Sequence, residues 1–403
     1  MSSLLSVAEA LKIILASAPS APRNSSPRSL LDALGGVLAE DVVSTIDVPL
    51  NDNSAMDGYA VRAEDVSGSP LRVSQRIPAG AVGDALEPGT AARIFTGAEL
   101  PPGADAVVMQ ENCELSDDAV LIKTAVSKTQ NVRPRGQDVH SGDVVLGCGR
   151  VLTPQDIGLI ASVGVDSVRV FDPLRVAIMS TGDELIEPGQ GELKPGQLFN
   201  SNRFTLAALL KQMNIEVIDG GIIPDSPQLT GEALEQAASS ADCVLTSGGV
   251  SVGEEDHVKS QVERLGQLAL WKLAIKPGKP LAFGRLGDTP FFGLPGNPTS
   301  VFVTFCILVR PYLLKLQGAG DTDLPRFKVR AAFTRSKPGT RQEYLRVMLN
   351  NEGEDVLATA YSNQSSGVLS SVSRANALAV IPAGATVQPG DPVEVIPLEF
   401  LGA

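Results

Sequence analysis

Imidazole and thiol are both scarce in this chain. Its 403 residues hold two histidines, His140 and His257, and four cysteines, Cys113, Cys148, Cys243 and Cys306. A zinc site built on three imidazoles is therefore impossible, and a Ser-His-Asp hydrolase has only these two histidines to use. The cysteines lie far apart with no CxxC pair, which excludes a dense disulfide framework and predicts buried, reduced thiols of a cytoplasmic protein. Positive charge is also in deficit: 33 Lys and Arg face 46 Asp and Glu, a net charge of −13. That balance argues against a general nucleic-acid or anionic-membrane binder, although a local basic site can survive in it. Long apolar runs are missing as well. The longest, residues 301–316, is broken by Arg310-Pro311 and reads as a core helix. The N-terminus has no basic segment before its apolar residues and reads as a helix, not a secretion signal. Chemistry is left to carboxylates, lysines and backbone.

What is present suffices for several cores, since 43% of the residues are hydrophobic. The pattern is multidomain α/β plus β, in four units. The first is discontinuous, residues 1–47 and 141–172. In it Ser6 and Glu9 make an S-x-x-E capping box on a helix with Val7, Leu11, Ile14 and Leu15 at helical spacing. Residues 27–33 read as a second short helix before Gly35-Gly36, and Thr153 caps a third that Gly164 ends. Residues 48–140 are short apolar runs between Gly and Pro clusters, a β-rich insertion. From 173 to 320, RVAIMST, IEVIDGGII, DCVLTSGG and FFGL read as strands and alternate with helices, which predicts a three-layer α/β domain with a mostly parallel sheet. From 321 to 403, RFKVRAAF, YLRVML, ALAVI and VEVIP predict a small C-terminal β-barrel or sandwich.

Parallel sheets bind ligands at the carboxyl ends of their strands. Three unusual loops fall there: Thr181-Gly182-Asp183-Glu184; Ser247-Gly248-Gly249-Val250-Ser251-Val252-Gly253-Glu254-Glu255-Asp256; and Pro295-Gly296-Asn297-Pro298. Each alone is compatible with a tight turn; together they suggest one site, with backbone amides close to a ligand and an anion at the helix after Asn297-Pro298. Residues 267–286 add Lys272, Lys276, Lys279 and Arg285 with no acid, just after Glu254-Glu255-Asp256. Carboxylates beside an anion-binding lysine cluster suit a divalent cation bridging protein and phosphate. An acid-decorated helix start and a solvated basic hairpin would look the same. The segment 51–59, Thr96-Gly97 and Arg133-Pro134-Arg135-Gly136-Gln137-Asp138 are either structural turns or ligand-facing loops. Residues 325–347 carry seven Lys and Arg against the single acid Glu343, a solvated β-face or a second anion surface. Residues 362–376 are a polar loop or a ligand cover. His257 reads as a partly exposed helix residue in preference to a base or metal ligand.

The segments NDNSAMDGYA, IFTGAELPPGADAVV, RPRGQD, STGDEL, SGGVSVGEEDH, KLAIKPGKP and GLPGNP, in this order over nearly the whole chain, resemble the MoeA family, the molybdopterin molybdenumtransferases. They are also similar to the C-terminal part of gephyrin, without its N-terminal domain and linker. The resemblance implies an elongated four-domain subunit with a MogA-like molybdopterin-binding α/β domain and a C-terminal β-barrel. It further implies a cytoplasmic homodimer whose active cleft combines the α/β domain of one subunit with β domains of the other. The implied reaction inserts molybdate into adenylylated molybdopterin, releasing AMP and molybdenum cofactor, with Mg²⁺ as the cation. Transient contact with a molybdopterin adenylyltransferase and with molybdoenzyme apoproteins is implied too.

By this resemblance the catalytic positions are Asp57, Glu184, Asp225, Asp256, Lys272 and Lys276. Asp256 is expected to hold Mg²⁺ with Glu184 and Asp225 assisting, while Asp57 and Thr96 reach in from the other subunit. Cofactor-binding positions are Thr96, Thr181, Gly182, Asp183, Ser247, Gly248, Gly249, Ser251, Gly253, Lys279, Pro295, Gly296, Asn297, Pro298 and Ser371. Two departures stand out: Gln137 replaces a Glu of the bacterial pattern, and Gly367-Val368 occupies a stretch where some members carry a basic residue. Molybdate is then expected on Lys272, Lys276 and Ser371. Two other functions compete, a gephyrin-like scaffold and a molybdopterin adenylyltransferase. The first would not release AMP on addition of molybdate, and the second would consume ATP.

Overall fold

The computed structural model describes residues 4–19, 23–250 and 257–401. Its centre is a six-stranded sheet ordered Glu216–Ile223, Arg175–Thr181, Cys243–Ser247, Thr289–Leu294, Ala282–Leu286 and Gly266–Trp271. The first four strands are mutually parallel, and the last two turn the edge antiparallel. Strands buried on both faces read as continuous apolar runs, as VAIM and FFGL do here. Helices Ser201–Gln212 and Pro298–Thr304 cover one face through Leu206, Leu209, Leu210 and Val301. Helices Pro227–Ser240 and His257–Leu265 cover the other through Leu234, Ala237, Val258 and Val262. This is the expected three-layer arrangement, and all four parallel strands end on one rim.

The apolar run 298–317 is long and apolar enough to cross a membrane, but 89% of its most apolar window is buried inside the protein. It is a core helix, as predicted. Pro311 brings no N–H to the ladder, and the helix widens to a π-turn over Phe305–Val309 before continuing as Arg310–Gln317. Helix Val7–Ala16, with both hydrogen bonds of its Ser6–Glu9 capping box, puts Val7, Ala10 and Ile14 into this same core. Arg285 donates to the Ser17 carbonyl at 2.6 Å, so one of the basic residues of the 267–286 window closes that helix's C-terminal end.

Thr153 caps Pro154–Ser162, and Asp156 completes its box. Residues 27–29 differ from expectation. They lie in a strand, Ser25–Ser29, antiparallel to Ser167–Phe171, and the helix covers only Leu30–Ala33. Proline keeps Ser26 and itself extended, while the Ser29 hydroxyl accepts the Asp32 amide and starts the helix there. The β-rich insertion is a mixed six-stranded sheet, and Val48 and Val139 are bridged where the chain enters and leaves it. The C-terminal strands Gln342–Glu352, Asp355–Ala360, Phe327–Ala331, Pro392–Pro397 and Ala377–Ile381 close into a five-stranded barrel. Asp355–Ala360 and helix Ser370–Arg374 were not among the expected elements.

Leu345 and Val347 fill the barrel interior, whereas Tyr344, Leu378 and Val380 on its outside pack into the α/β core. Ile275–Lys276 runs parallel to Gln342–Glu343, so the lysine loop is stitched to the barrel wall.

Candidate functional site

A cavity of about 950 Å³ opens at the carboxyl rim of the parallel strands. All three glycine-bearing loops line it, through Thr181, Gly182, Glu184, Ser247, Gly248, Gly249, Val250 and the full Pro295-Gly296-Asn297-Pro298 turn. Asp225, following strand Glu216–Ile223, joins them, as do Asn200, Ser201 and Asn202 at the start of their helix. Gly367 reaches the wall from the barrel domain.

Glycine is required at the centre of this wall. Gly248 and Gly249 have φ of +91° and +65°, and a Cβ on Gly248 would stand 2.6 Å from the Thr181 carbonyl oxygen. Backbone thus forms the surface where side chains cannot. The carboxylate of Glu184 folds against Gly182, where an added Cβ would lie 2.4 Å from Glu184 Oε2. Asp183 and Asp225 are tied reciprocally: each carboxylate accepts the other's amide N–H, at 3.1 and 3.3 Å. Below the wall, the Ser247 and Ser180 hydroxyls lie 3.0 Å apart, Ser180 donates to Asn200, and Asn200 donates to Glu187. Glu187 pairs with Arg203 at 2.7 Å, which fixes the chain after Ile186 against the helix. Thr181 Oγ1 and Asn202 Oδ1 are buried at this wall and make no hydrogen bond among the described residues.

The expected anion-binding helix start is partly used by the protein. Pro298 has no N–H, and the Thr299 amide donates to the Ser366 carbonyl at 3.0 Å. The lysines do not line this cavity. Lys272 holds a left-handed backbone, φ +71°, and Lys279 is exposed beside Pro280, which does line it. Lys276 instead faces a second cavity of about 320 Å³, together with Arg335, Glu343, Arg346, Tyr361, Ser362 and Gln364. There Glu343 accepts from Lys276 at 3.1 Å and from Arg335 at 2.6 and 3.1 Å. Burial would raise this carboxyl, but the bonds from Arg335 and Lys276 outweigh it and hold it below the usual carboxylate range.

Arg346 is the residue that motif reading passed over. It is fully buried, and among the described residues its guanidinium donates only to neutral oxygens: Ser371 Oγ at 3.1 Å, the Ser365 carbonyl at 3.2 Å and the Tyr344 carbonyl at 3.4 Å. Burial lowers its pKa to about 10. Ser371 is buried as well, accepting from Arg346 and donating to the Val368 carbonyl, so its hydroxyl serves the arginine. The signal was alternation: Arg346 falls on the same face as Tyr344 in the otherwise apolar run 344–349. Two segments join the cavities. Lys276 and Pro277 line the smaller and Pro280 the larger; Gln364 lines the smaller and Gly367 the larger.

Asp57 and Thr96 form a separate exposed group on the insertion. Asp57 Oδ1 accepts the Thr96 amide and hydroxyl, both at 2.8 Å, and these bonds lower its pKa. Neither residue lines the α/β cavity of its own chain. Ser251, Gly253 and Asp256, with Glu254 and Glu255, lie outside the described residues. Among the described residues no group of three or more His, Cys, Asp or Glu side chains could hold a metal ion. Glu184 and Asp225 offer two hard oxygen donors at one rim. His257 opens its helix half-buried.

Three family profiles cover the chain: MoeA N-terminal region (domain I and II) over residues 5–164, probable molybdopterin binding domain over 177–315, and MoeA C-terminal region (domain IV) over 328–398. A molybdopterin molybdenumtransferase of Haemophilus influenzae is 41% identical over 387 residues, spanning 94% of this chain and 95% of that protein. One from Nostoc sp. is 41% identical, spanning 91% and 87%. The crystal structure of the molybdopterin biosynthesis MoeA protein of Pyrococcus horikoshii superimposes with a TM-score of 0.85 at 32% identity, covering 98% of this chain and all of that one. With identity of this extent over nearly the whole of both chains, the chain belongs to the MoeA family of molybdopterin molybdenumtransferases.

Proposed function

We propose that this protein transfers molybdenum: it inserts molybdate into adenylylated molybdopterin and releases AMP and molybdenum cofactor. The observation that carries the reading is the adjacency of two unlike cavities, one of backbone and carboxylate, the other of guanidinium and ammonium. Adenylylated molybdopterin is long and carries a pyrophosphate. It matches the larger cavity, where Gly248, Gly249 and the 295–298 turn bring backbone close to a ligand. Molybdate is a compact dianion and matches the smaller one, where Arg346 has no carboxylate partner among the described residues.

Glu184 and Asp225, joined by Asp256, would hold the divalent cation, Mg²⁺. Such a cation neutralises charge on the pyrophosphate as AMP departs. The chain's own residues do the rest: the glycine loops orient the nucleotide, Lys279, exposed beside the lining residue Pro280, would extend to the phosphates, and the shared segments 276–280 and 364–367 hold the oxyanion next to the dithiolene. Asp57 and Thr96, remote from the cavity of their own chain, complete it in a second copy, which makes the working unit a homodimer. An adenylyltransferase supplies the substrate and molybdoenzyme apoproteins take the product, both by transient contact.

The test is AMP release from adenylylated molybdopterin on adding molybdate, with and without Mg²⁺. Release that needs both supports the transferase. Dimer formation without release points to a scaffold, and ATP consumption to an adenylyltransferase. Asp256→Ala should abolish cation-dependent release and leave the dimer intact; normal turnover would sink that assignment.

A further inference from the structure

The smaller cavity contains a carboxylate, Glu343, a group that repels anions. Glu343 is 4% exposed, and it holds both Lys276 and Arg335, two of the three cations on the wall. The third, Arg346, has only neutral oxygens as partners among the described residues. Three positive charges and one negative leave the wall at +2, equal and opposite to a dianion. Arg335 meets Glu343 through two nitrogens, Nε to Oε2 and Nη2 to Oε1, and Lys276 adds one contact to Oε1. Gly339, in the turn beside it, also faces the Glu343 carboxylate, and Tyr344, next in the strand, turns its ring into the α/β core. Neither adds a charge.

We infer that Glu343 attenuates oxyanion binding: it engages Lys276 and Arg335 so that a bound dianion stays exchangeable and can be handed on. This rests on the reading of the smaller cavity as the molybdate site. A substrate held by three uncompensated cations, one of them the buried Arg346, would be trapped in its ground state, which lowers KM without helping the step that follows. A carboxylate already bound to two of them competes with the oxyanion and limits that stabilisation. Glu343 acts through Lys276 and Arg335, not on the reacting atoms.

The sign of one measurement decides the matter. Full-length wild type, Glu343→Gln and Glu343→Ala are titrated calorimetrically with molybdate alone and with perrhenate alone, a tetrahedral monoanion of similar size. Circular dichroism identifies which variants are folded, and either folded variant suffices. Removing one negative charge strengthens molybdate binding about tenfold or more, and perrhenate binding by about the square root of that factor, because Coulomb energy is linear in ligand charge. In turnover, KM for molybdate and kcat fall together. Equal or weaker molybdate binding in the folded variants overturns the inference and makes Glu343 a scaffold for Lys276. If wild type does not bind molybdate, or Arg346→Gln binds it as well as wild type, the reading of the cavity itself fails and this inference with it.

Discussion

The two cavities are built on opposite plans. The larger is made by main chain: Gly248 and Gly249 adopt φ that other residues avoid, and their missing Cβ atoms leave room for Thr181. The smaller is made by long charged side chains from a barrel strand, a barrel loop and a loop of the α/β domain. A backbone site offers shape and many weak donors, suited to an extended ligand with a pyrophosphate. A site of guanidinium and ammonium groups concentrates charge on a small ion. On the proposed reading, the division of labour between substrates follows the division between backbone and side chain.

Breaking the charged site should have the largest effect. Arg346→Gln removes three donors from a buried wall, and hydrogen bonds to charged groups contribute roughly 1.5–3 kcal/mol. KM for molybdate is expected to rise about 100-fold, a factor worth about 2.7 kcal/mol, while binding of adenylylated molybdopterin is unchanged. Steady-state kinetics at fixed nucleotide substrate check this. An equal loss for both substrates would erase the distinction between the cavities. Glu184→Gln or Asp225→Asn in the larger cavity is expected to act the other way. Cation-dependent AMP release falls about 30-fold at saturating molybdate, with KM for molybdate within about twofold, consistent with loss of one electrostatic contact of about 2 kcal/mol. A Mg²⁺ titration separates weakened cation use from a general defect.

Gly248→Ala tests the backbone plan. Its left-handed φ and its 2.6 Å clash with the Thr181 carbonyl predict a stability loss of about 1–3 kcal/mol. Weaker adenylylated-molybdopterin binding should accompany it, and molybdate binding should stay as in wild type. Urea denaturation and calorimetry on the same preparation provide both numbers.

The same contrast explains what sequence could reveal. Glycines after strands mark a backbone site because φ and close approach are local requirements, so the loops at 181–184, 247–250 and 295–298 were legible before any fold was known. Lys276 was legible as part of an acid-free window, but its partner Glu343 lies 67 residues away, and only the pairing of Ile275–Lys276 with the barrel brings them together. Arg346 looked like one of seven basic residues on a β-face. Its burial depends on the outside of the barrel packing against the α/β core, which no local spacing encodes. Short elements failed for a related reason: residues 27–29 pair with a strand some 140 residues on, and that tertiary pairing outweighs helix propensity.

Asp156 supplies the control, since it lies in neither cavity. It is buried at the start of Pro154–Ser162, where it accepts from Arg150 at two 3.1 Å contacts and from the Thr153 amide at 2.9 Å. Burial would raise its carboxyl, but the bonds from Arg150 and Thr153 prevail and lower it. A carboxyl lowered on folding contributes stability above its unfolded value, about 3.9, and that contribution is lost as pH falls through the lower folded value. Asp156→Ala should therefore cost about 1–2 kcal/mol near neutral pH, with the difference from wild type shrinking only below about pH 4. Denaturation at pH 7 and pH 3.5 measures both. Because helix 154–162 touches neither cavity wall, molybdate and nucleotide constants should stay at wild-type values. If they moved, the two cavities would be coupled through the whole subunit, and the separate effects expected of Arg346 and Glu184 could no longer be assigned to separate sites.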